Sequence, residues 1–206
     1  MNNRDYKKFV PGITTHIYNR GNNKEKIFFN EQDYRAFLFR LGLCLGFTEK
    51  ELNAEKLIAM SYSRIRITEI NRGNFKLHAF SLMPNHFHLL IEQVGNVSIS
   101  KLMSKLCTSY SKYINKKYKR IGHVFQDEFK AVLIEDNSQL MWVSSYIHTN
   151  AIKDGLVKHP KEYKWSSYND YADNRNLILV TRDLILGTFG DKKNFIEQNS
   201  YVKESL

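Results

Sequence analysis

The chain has 206 residues, of which 42% are hydrophobic and 25% charged. That composition suits one folded domain with a real core, or one domain plus a small appendage. No stretch approaches the roughly eighteen apolar residues of a membrane span, and residues 1–8 lack the apolar heart of a secretion signal, so a cytoplasmic protein with no membrane partner is expected. The formal net charge of +10 and a pI near 9.5 favour a polyanionic partner.

Residues 12–20 are rich in β-formers (Ile13, Thr14, Thr15, Ile17, Tyr18) and predict a strand closed by the turn-prone Gly21-Asn22-Asn23. Asn30 suits a helix N-cap, with Asp33 at the third helical position and Phe37, Leu38, Leu41 and Leu45 as the apolar stripe. Residues 48–73 carry the weakest pattern, with Arg64 to Thr68 as a candidate strand of basic outer face. Residues 74–83 and 85–94 predict two strands, with Pro84-Asn85 at the centre of the tight turn between them. Ser98 or Ser100 can cap a helix to about residue 119, whose apolar positions are Leu102, Leu106, Tyr110 and Tyr113. A loop over 120–128 leads to a strand at 129–134, and Asp136 or Asn137 caps a helix reaching about residue 152. The tail holds shorter pieces, with residues 164–168 around Trp165 as a packing anchor.

The order β-α-β-β-α-β predicts an α+β protein with a ferredoxin-like core: an antiparallel sheet with helices on one face. The helix over 137–152 and a C-terminal tail follow that core. The expected division is a domain over 1–171 and an extension of unknown role over 172–206. Cys44 and Cys107 lie in amphipathic segments without zinc-ribbon spacing, and are expected as buried thiols.

Charge is uneven. Between residues 95 and 135, Lys101, Lys105, Lys112, Lys116, Lys117, Lys119, Arg120 and Lys130 face only Asp127, Glu128 and Glu135, and Tyr110, Tyr113 and Tyr118 are interleaved. Cations among aromatic rings suit a polyanion carrying stackable bases. A solvated helix face is the bland alternative for the run alone, and the overall charge tips the balance to nucleic acid. Arg20, Lys105, Lys112, Lys116, Lys117, Arg120, His123 and Lys130 are the candidate DNA contacts.

The most informative stretch is His86-Phe87-His88, at the start of the second hairpin strand. Two histidines one residue apart on a strand point to the same side of a sheet, among residues that otherwise fill a core. A shared metal ion would explain them. In the helix over 137–152, Leu140, Val143, Ile147 and Ala151 form one apolar row, and Trp142, Tyr146 and Asn150 form a neighbouring row at steps of four. If the histidine pair faces that row, two imidazoles, a carboxamide and a phenol converge. A divalent ion polarises a phosphodiester, and a phenol with a pKa of about 10 needs such help to attack. Each feature alone has a plainer meaning: structural histidines, one packing tyrosine among twelve, an asparagine ending a helix. His148 lies on another side of the helix from Tyr146, and Trp142 reads as core.

These blocks resemble the IS200/IS605-type tyrosine (Y1) transposases of the HUH class, closest to the REP-associated tyrosine transposases. Met83-Pro84-Asn85-His86-Phe87-His88-Leu89-Leu90 resembles the HUH signature. Tyr18-Asn19-Arg20-Gly21, Gly122-His123-Val124-Phe125-Gln126, Tyr146-Ile147-His148-Thr149-Asn150 and Trp165-Ser166-Ser167-Tyr168 agree in order over residues 11–171. The resemblance implies His86, His88 and Asn150 as metal ligands, Tyr146 as nucleophile, and Mg²⁺ or Mn²⁺ as the metal. It also implies cleavage of single-stranded DNA, often beside a hairpin, through a 5′-phosphotyrosine, by a monomer or homodimer. Imidazole ligands lean toward Mn²⁺.

The chain departs from the family at Ala151, at Lys153-Asp154 and at Asp127-Glu128, where proline, Arg-Ala and Gly-Arg are common. Residues 48–73 look like an insertion. Two rivals differ in class: a binding module without catalysis, and a hydrolase in which metal-bound water attacks.

Overall fold

The computed structural model describes residues 10–57, 70–173 and 175–200, so the candidate strand at Arg64 to Thr68 lies outside the described residues. Strand β1 (Ile13–Arg20) leads to helix α1 (Glu31–Cys44), the short α2 (Glu49–Ala54), and the hairpin β2 (Phe75–Met83) and β3 (His86–Gln93). Helix α3 (Ile99–Tyr118), strand β4 (Lys130–Leu133) and helix α4 (Asn137–Lys153) follow, then α5 (Tyr168–Ala172), α6 (Asp183–Phe189) and α7 (Lys192–Asn199). The sheet has the order β2-β3-β1-β4, and every neighbouring pair is antiparallel. This is the ferredoxin-like arrangement that the element order predicts.

Local chemistry sets the element ends. Asn30 and Asp33 form a reciprocal capping box at the start of α1, and the side chains of Ser98 and Asp136 accept from the third residues of α3 and α4. Lys119, in the left-handed region at φ 51°, ends α3. Gly21 makes the close approach that ends β1. Its N–H donates to the Asn85 carbonyl at 2.8 Å, and a Cβ there would stand 2.1 Å from the Glu25 carbonyl oxygen.

Two cores flank the sheet. On one face Ile17, Leu77, Phe80, Phe87, Leu89 and Ile91 pack against α1 and α3. A register shift between Leu77 and Ala79 bulges β2, which is why odd-numbered Leu77 and even-numbered Phe80 share that face. On the other face Ala79 and Leu90 meet Leu140, Val143 and Ile147 of α4. Helices therefore cover both faces: α1 and α3 form the expected single layer, and α4 closes the opposite one.

The tail packs onto α4. Ile185, Phe189 and Phe195 share the core of Leu140, Val143 and Ile147, and the Thr181 N–H donates to the Leu77 carbonyl at 2.8 Å. The expected anchor at Trp165 stacks on Tyr34 with ring centres 4.5 Å apart. Cys44 is fully buried, whereas Cys107 is half-buried at a cleft edge, and both thiols are free. Among the described residues no helix is long and apolar enough to cross a membrane.

Candidate active site

Because β3 begins directly after the Pro84-Asn85 turn, its alternation puts His86, His88 and Leu90 on the α4 face and Phe87 and Leu89 on the other. β1 runs beside it with Tyr18 opposite His88 and Arg20 opposite His86. The buried row of α4 rests on Ala79 and Leu90, which carries the next row, Tyr146 and Asn150, over the histidines. Asn150 Oδ1 stands 3.2 Å from His86 Nε2. The Tyr146 ring lies edge-on to His88, with centres 5.2 Å apart. His86, His88, Tyr146 and Asn150 thus come together in one chain, lining a cleft of about 530 Å³.

The hydrogen bonds show which lone pairs are available. His86 Nδ1 is 2.6 Å from Asn85 Oδ1, and the Asn85 amide nitrogen donates to the Lys24 carbonyl, so the His86 hydrogen sits on Nδ1. Its Nε2 then presents a lone pair to an oxygen that also carries only lone pairs. His88 is 5% exposed, its Nδ1 lies 3.0 Å from His16 Nε2, and its buried Nε2 has no hydrogen-bond partner among the described residues. A nitrogen facing an oxygen with no hydrogen between them, beside an orphaned buried nitrogen, is what a cation resolves. The donors are neutral nitrogen and oxygen, so the residues fit Mn²⁺ or Mg²⁺, with imidazole favouring Mn²⁺. No cluster of three His, Cys, Asp or Glu side chains fit for a metal occurs among the described residues. The oxygen donor within reach of His86 Nε2 is the Asn150 carboxamide.

Burial keeps the imidazoles neutral. It lowers His86, lowers His88 well below the ordinary value with help from His16 and His86, and brings His16 down to about 4. Neutral imidazole is the metal-binding form. Burial also raises the Tyr146 phenol, against the pull of a hydrogen bond from Asn150. The Tyr146 phenol is therefore harder to ionise than a free tyrosine, and any attack through it would need help at the site.

The remaining candidates scatter. Arg20 and Lys130 line the same cleft. Lys112 and His123 line a second one, of about 780 Å³, which shares Gln126, Asp127 and Glu128 with the first. Lys105 and Lys116 stand on α3, across the sheet from the histidines, with Lys116 exposed and Lys105 half-buried. Arg120 pairs with Glu25 at 2.7 Å. Lys117 turns inward, its side chain 9% exposed and its ammonium 2.6 Å from the buried Asp33 carboxylate, so in this structure it offers no surface to a phosphate.

Trp142 requires a correction. It is not core but 47% exposed, because the buried stripe of α4 ends one row short of it. His148 is wholly buried, hydrogen-bonded to Ser167 Oγ at 2.8 Å and away from the cleft, as its helical position predicts. His16, Tyr18, Lys24 and Asp154 escaped the sequence reading, although Tyr18, Lys24 and Asp154 line the cleft and His16 touches His88. The period-two spacing of His16, Tyr18 and Arg20 carried the signal for the first two.

Comparisons with known proteins bear on the family and the fold. The family described as IS200-like transposase matches residues 48–150, half of the chain. A Haemophilus influenzae protein named as a REP-associated tyrosine transposase is 27% identical over 107 residues, which cover 46% of this chain and 60% of that protein. The chain thus matches less than two thirds of that relative's length. A solved structure of a REP-associated tyrosine transposase bound to a REP hairpin superposes with a TM-score of 0.58 at 15% identity, covering 85% of this chain and 89% of that one, and so shares the fold. Matching family blocks, a shared fold and the convergence of histidines, tyrosine and asparagine lead to one assignment: the chain belongs to the IS200-like transposase family.

Proposed function

We propose that the protein is a tyrosine transposase that cuts and rejoins single-stranded DNA, dependent on Mg²⁺ or Mn²⁺, with Tyr146 as nucleophile. The observation that carries this is the Tyr146 ring 5.2 Å from His88, whose buried Nε2 has no hydrogen-bond partner among the described residues. His86 Nε2, His88 Nε2 and Asn150 Oδ1 would hold the cation. When bound, it would polarise the phosphodiester and offset charge developing on its oxygens.

Tyr146 attacks phosphorus through its phenolic oxygen, and the phenolic proton is lost. The bond to the 3′-oxygen breaks, and that oxygen leaves as a 3′-hydroxyl after taking a proton. The 5′-phosphate remains on Tyr146, so attack by another 3′-hydroxyl restores a phosphodiester without any external energy source. Wedging between His88 and Trp142 limits the swing of the phenol and keeps it near the reacting phosphorus.

Arg20 and Lys130 at the cleft mouth balance substrate phosphates. From there a strand can pass over Gln126 to Glu128 into the second cleft, toward Lys112 and His123. The backbone pins this loop to the end of β1 through Gln126 N–H to the Arg20 carbonyl at 2.9 Å. Lys105 and Lys116 stand on α3 across the sheet from the cleft, Arg120 follows that helix in a pair with Glu25, and Lys117 is left out. The solved relative is bound to a REP hairpin, and a hairpin beside the cut strand is the substrate class proposed here.

The test is denaturing electrophoresis of the full chain with a labelled single-stranded oligonucleotide carrying a hairpin. With Mn²⁺ an adduct that resists denaturation is expected, and it is lost with EDTA or in Tyr146→Phe. Cut DNA without adduct would point to metal-bound water as nucleophile. Binding with neither cleavage nor adduct would leave a binding module.

A further inference from the structure

Among the side chains that the proposed reaction does not use, His16 is in direct contact with the proposed ligand His88. We propose that His16 is a positioning residue for His88: it accepts the His88 Nδ1 hydrogen and so fixes the tautomer whose Nε2 lone pair faces the cation. The inference rests on the proposed metal site.

His16 Nε2 and His88 Nδ1 are 3.0 Å apart, with ring centres 5.2 Å apart, the ring planes inclined by 27° and both side chains buried. Two neutral imidazoles at that distance share one hydrogen. If it came from His16, the His88 hydrogen would sit on Nε2, as a buried donor with no acceptor among the described residues. If it comes from His88, the orphaned atom is a lone pair, which a cation fills. A ligating imidazole commonly donates its other N–H to a carboxylate, a carbonyl or water. Here a second imidazole takes that place.

The ring has little freedom to turn over, because Tyr18 and Tyr146 flank it with centres 5.8 and 5.2 Å away. His16 is placed for this role by the β1–β3 pairing, which sets it opposite Leu90, two residues along β3 from His88. His16 stands behind His88 and does not itself line the cleft, which makes it a support for a ligand and not itself a ligand.

The experiment measures Mn²⁺ binding by titration calorimetry on the full chain without DNA. His16→Leu should weaken binding about 10- to 100-fold, the usual effect of losing such a partner. His16→Gln, whose carbonyl oxygen can accept the same N–H, should recover most of it. A second measurement keeps the test independent of folding defects: ¹⁵N–¹H correlation of the metal-free wild-type histidines should show His88 protonated on Nδ1. Unchanged Mn²⁺ affinity in a folded His16→Leu, or His88 protonated on Nε2, overturns the proposal. Absence of Mn²⁺ binding by the wild-type chain removes the metal site and this inference together. Loss of the DNA adduct with Mn²⁺ binding intact touches only the nucleophile.

Discussion

The indole of Trp142 lies nearly parallel to the phenol of Tyr146, with ring centres 5.5 Å apart at 11°, one helical turn before it on α4. Nearly half of Trp142 faces solvent, which suits stacking of a nucleobase beside the scissile phosphate. Base–aromatic stacking contributes about 1–3 kcal/mol when measured by alanine substitution. Trp142→Ala should therefore weaken single-stranded DNA binding about tenfold, while Trp142→Phe keeps most of it. Fluorescence offers a direct check: in a Trp165→Phe background Trp142 is the remaining tryptophan, and DNA should quench it. Emission that ignores DNA would rule the stack out.

Asp33 and Lys117 join α1 to α3 through a buried ion pair. The carboxylate also accepts from the hydroxyls of Tyr113 and Tyr118 and from the Phe29 N–H. Removing one member of such a network leaves a buried charge unpaired, at a cost of about 3–5 kcal/mol. Asp33→Ala should lower stability to urea by that order. By contrast, Lys117→Met should leave the salt dependence of DNA binding unchanged, whereas Lys112→Ala should reduce its slope by about one. Equal effects on the slope would show that Lys117 reaches phosphate after all.

Acid should destabilise the metal-free protein well above the range in which carboxylates titrate. Burial lowers His16 to about 4 and His148 to about 3, against 6.5 for the free side chain. Below 6.5 the unfolded chain takes up protons that these folded sites refuse, so stability rises with pH across that window. Read downward, stability is lost from about pH 6.5 until the folded values are passed. Urea midpoints measured between pH 7 and pH 4 should fall steadily, and His148→Gln should flatten the fall. A midpoint that holds constant from pH 7 to pH 5 would contradict this.

Much of the fold was legible because local signals are short-ranged. Caps at Asn30, Ser98 and Asp136, the Pro84-Asn85 turn and the spacing of apolar residues each depend on neighbours within one turn or one strand. The bulge between Leu77 and Ala79 had no such mark, since no glycine or proline stands there, and only the packing of both sheet faces demands the change of phase. Trp142 misled for a related reason. Helical periodicity ranks rows by hydrophobicity, but which row meets the sheet depends on how α4 is set down upon it.

The sequence by itself determined the pairing of His86 with His88 on one strand face, and the alignment of Tyr146 with Asn150 on one helix stripe, because both follow from backbone periodicity. Only the tertiary structure decided that these two faces meet within one chain, that His16 arrives from β1 to touch His88, and that Lys117 is drawn into Asp33. Those outcomes depend on strand register and helix placement, which are set by burial across segments 60 and more residues apart and leave no trace in the local pattern.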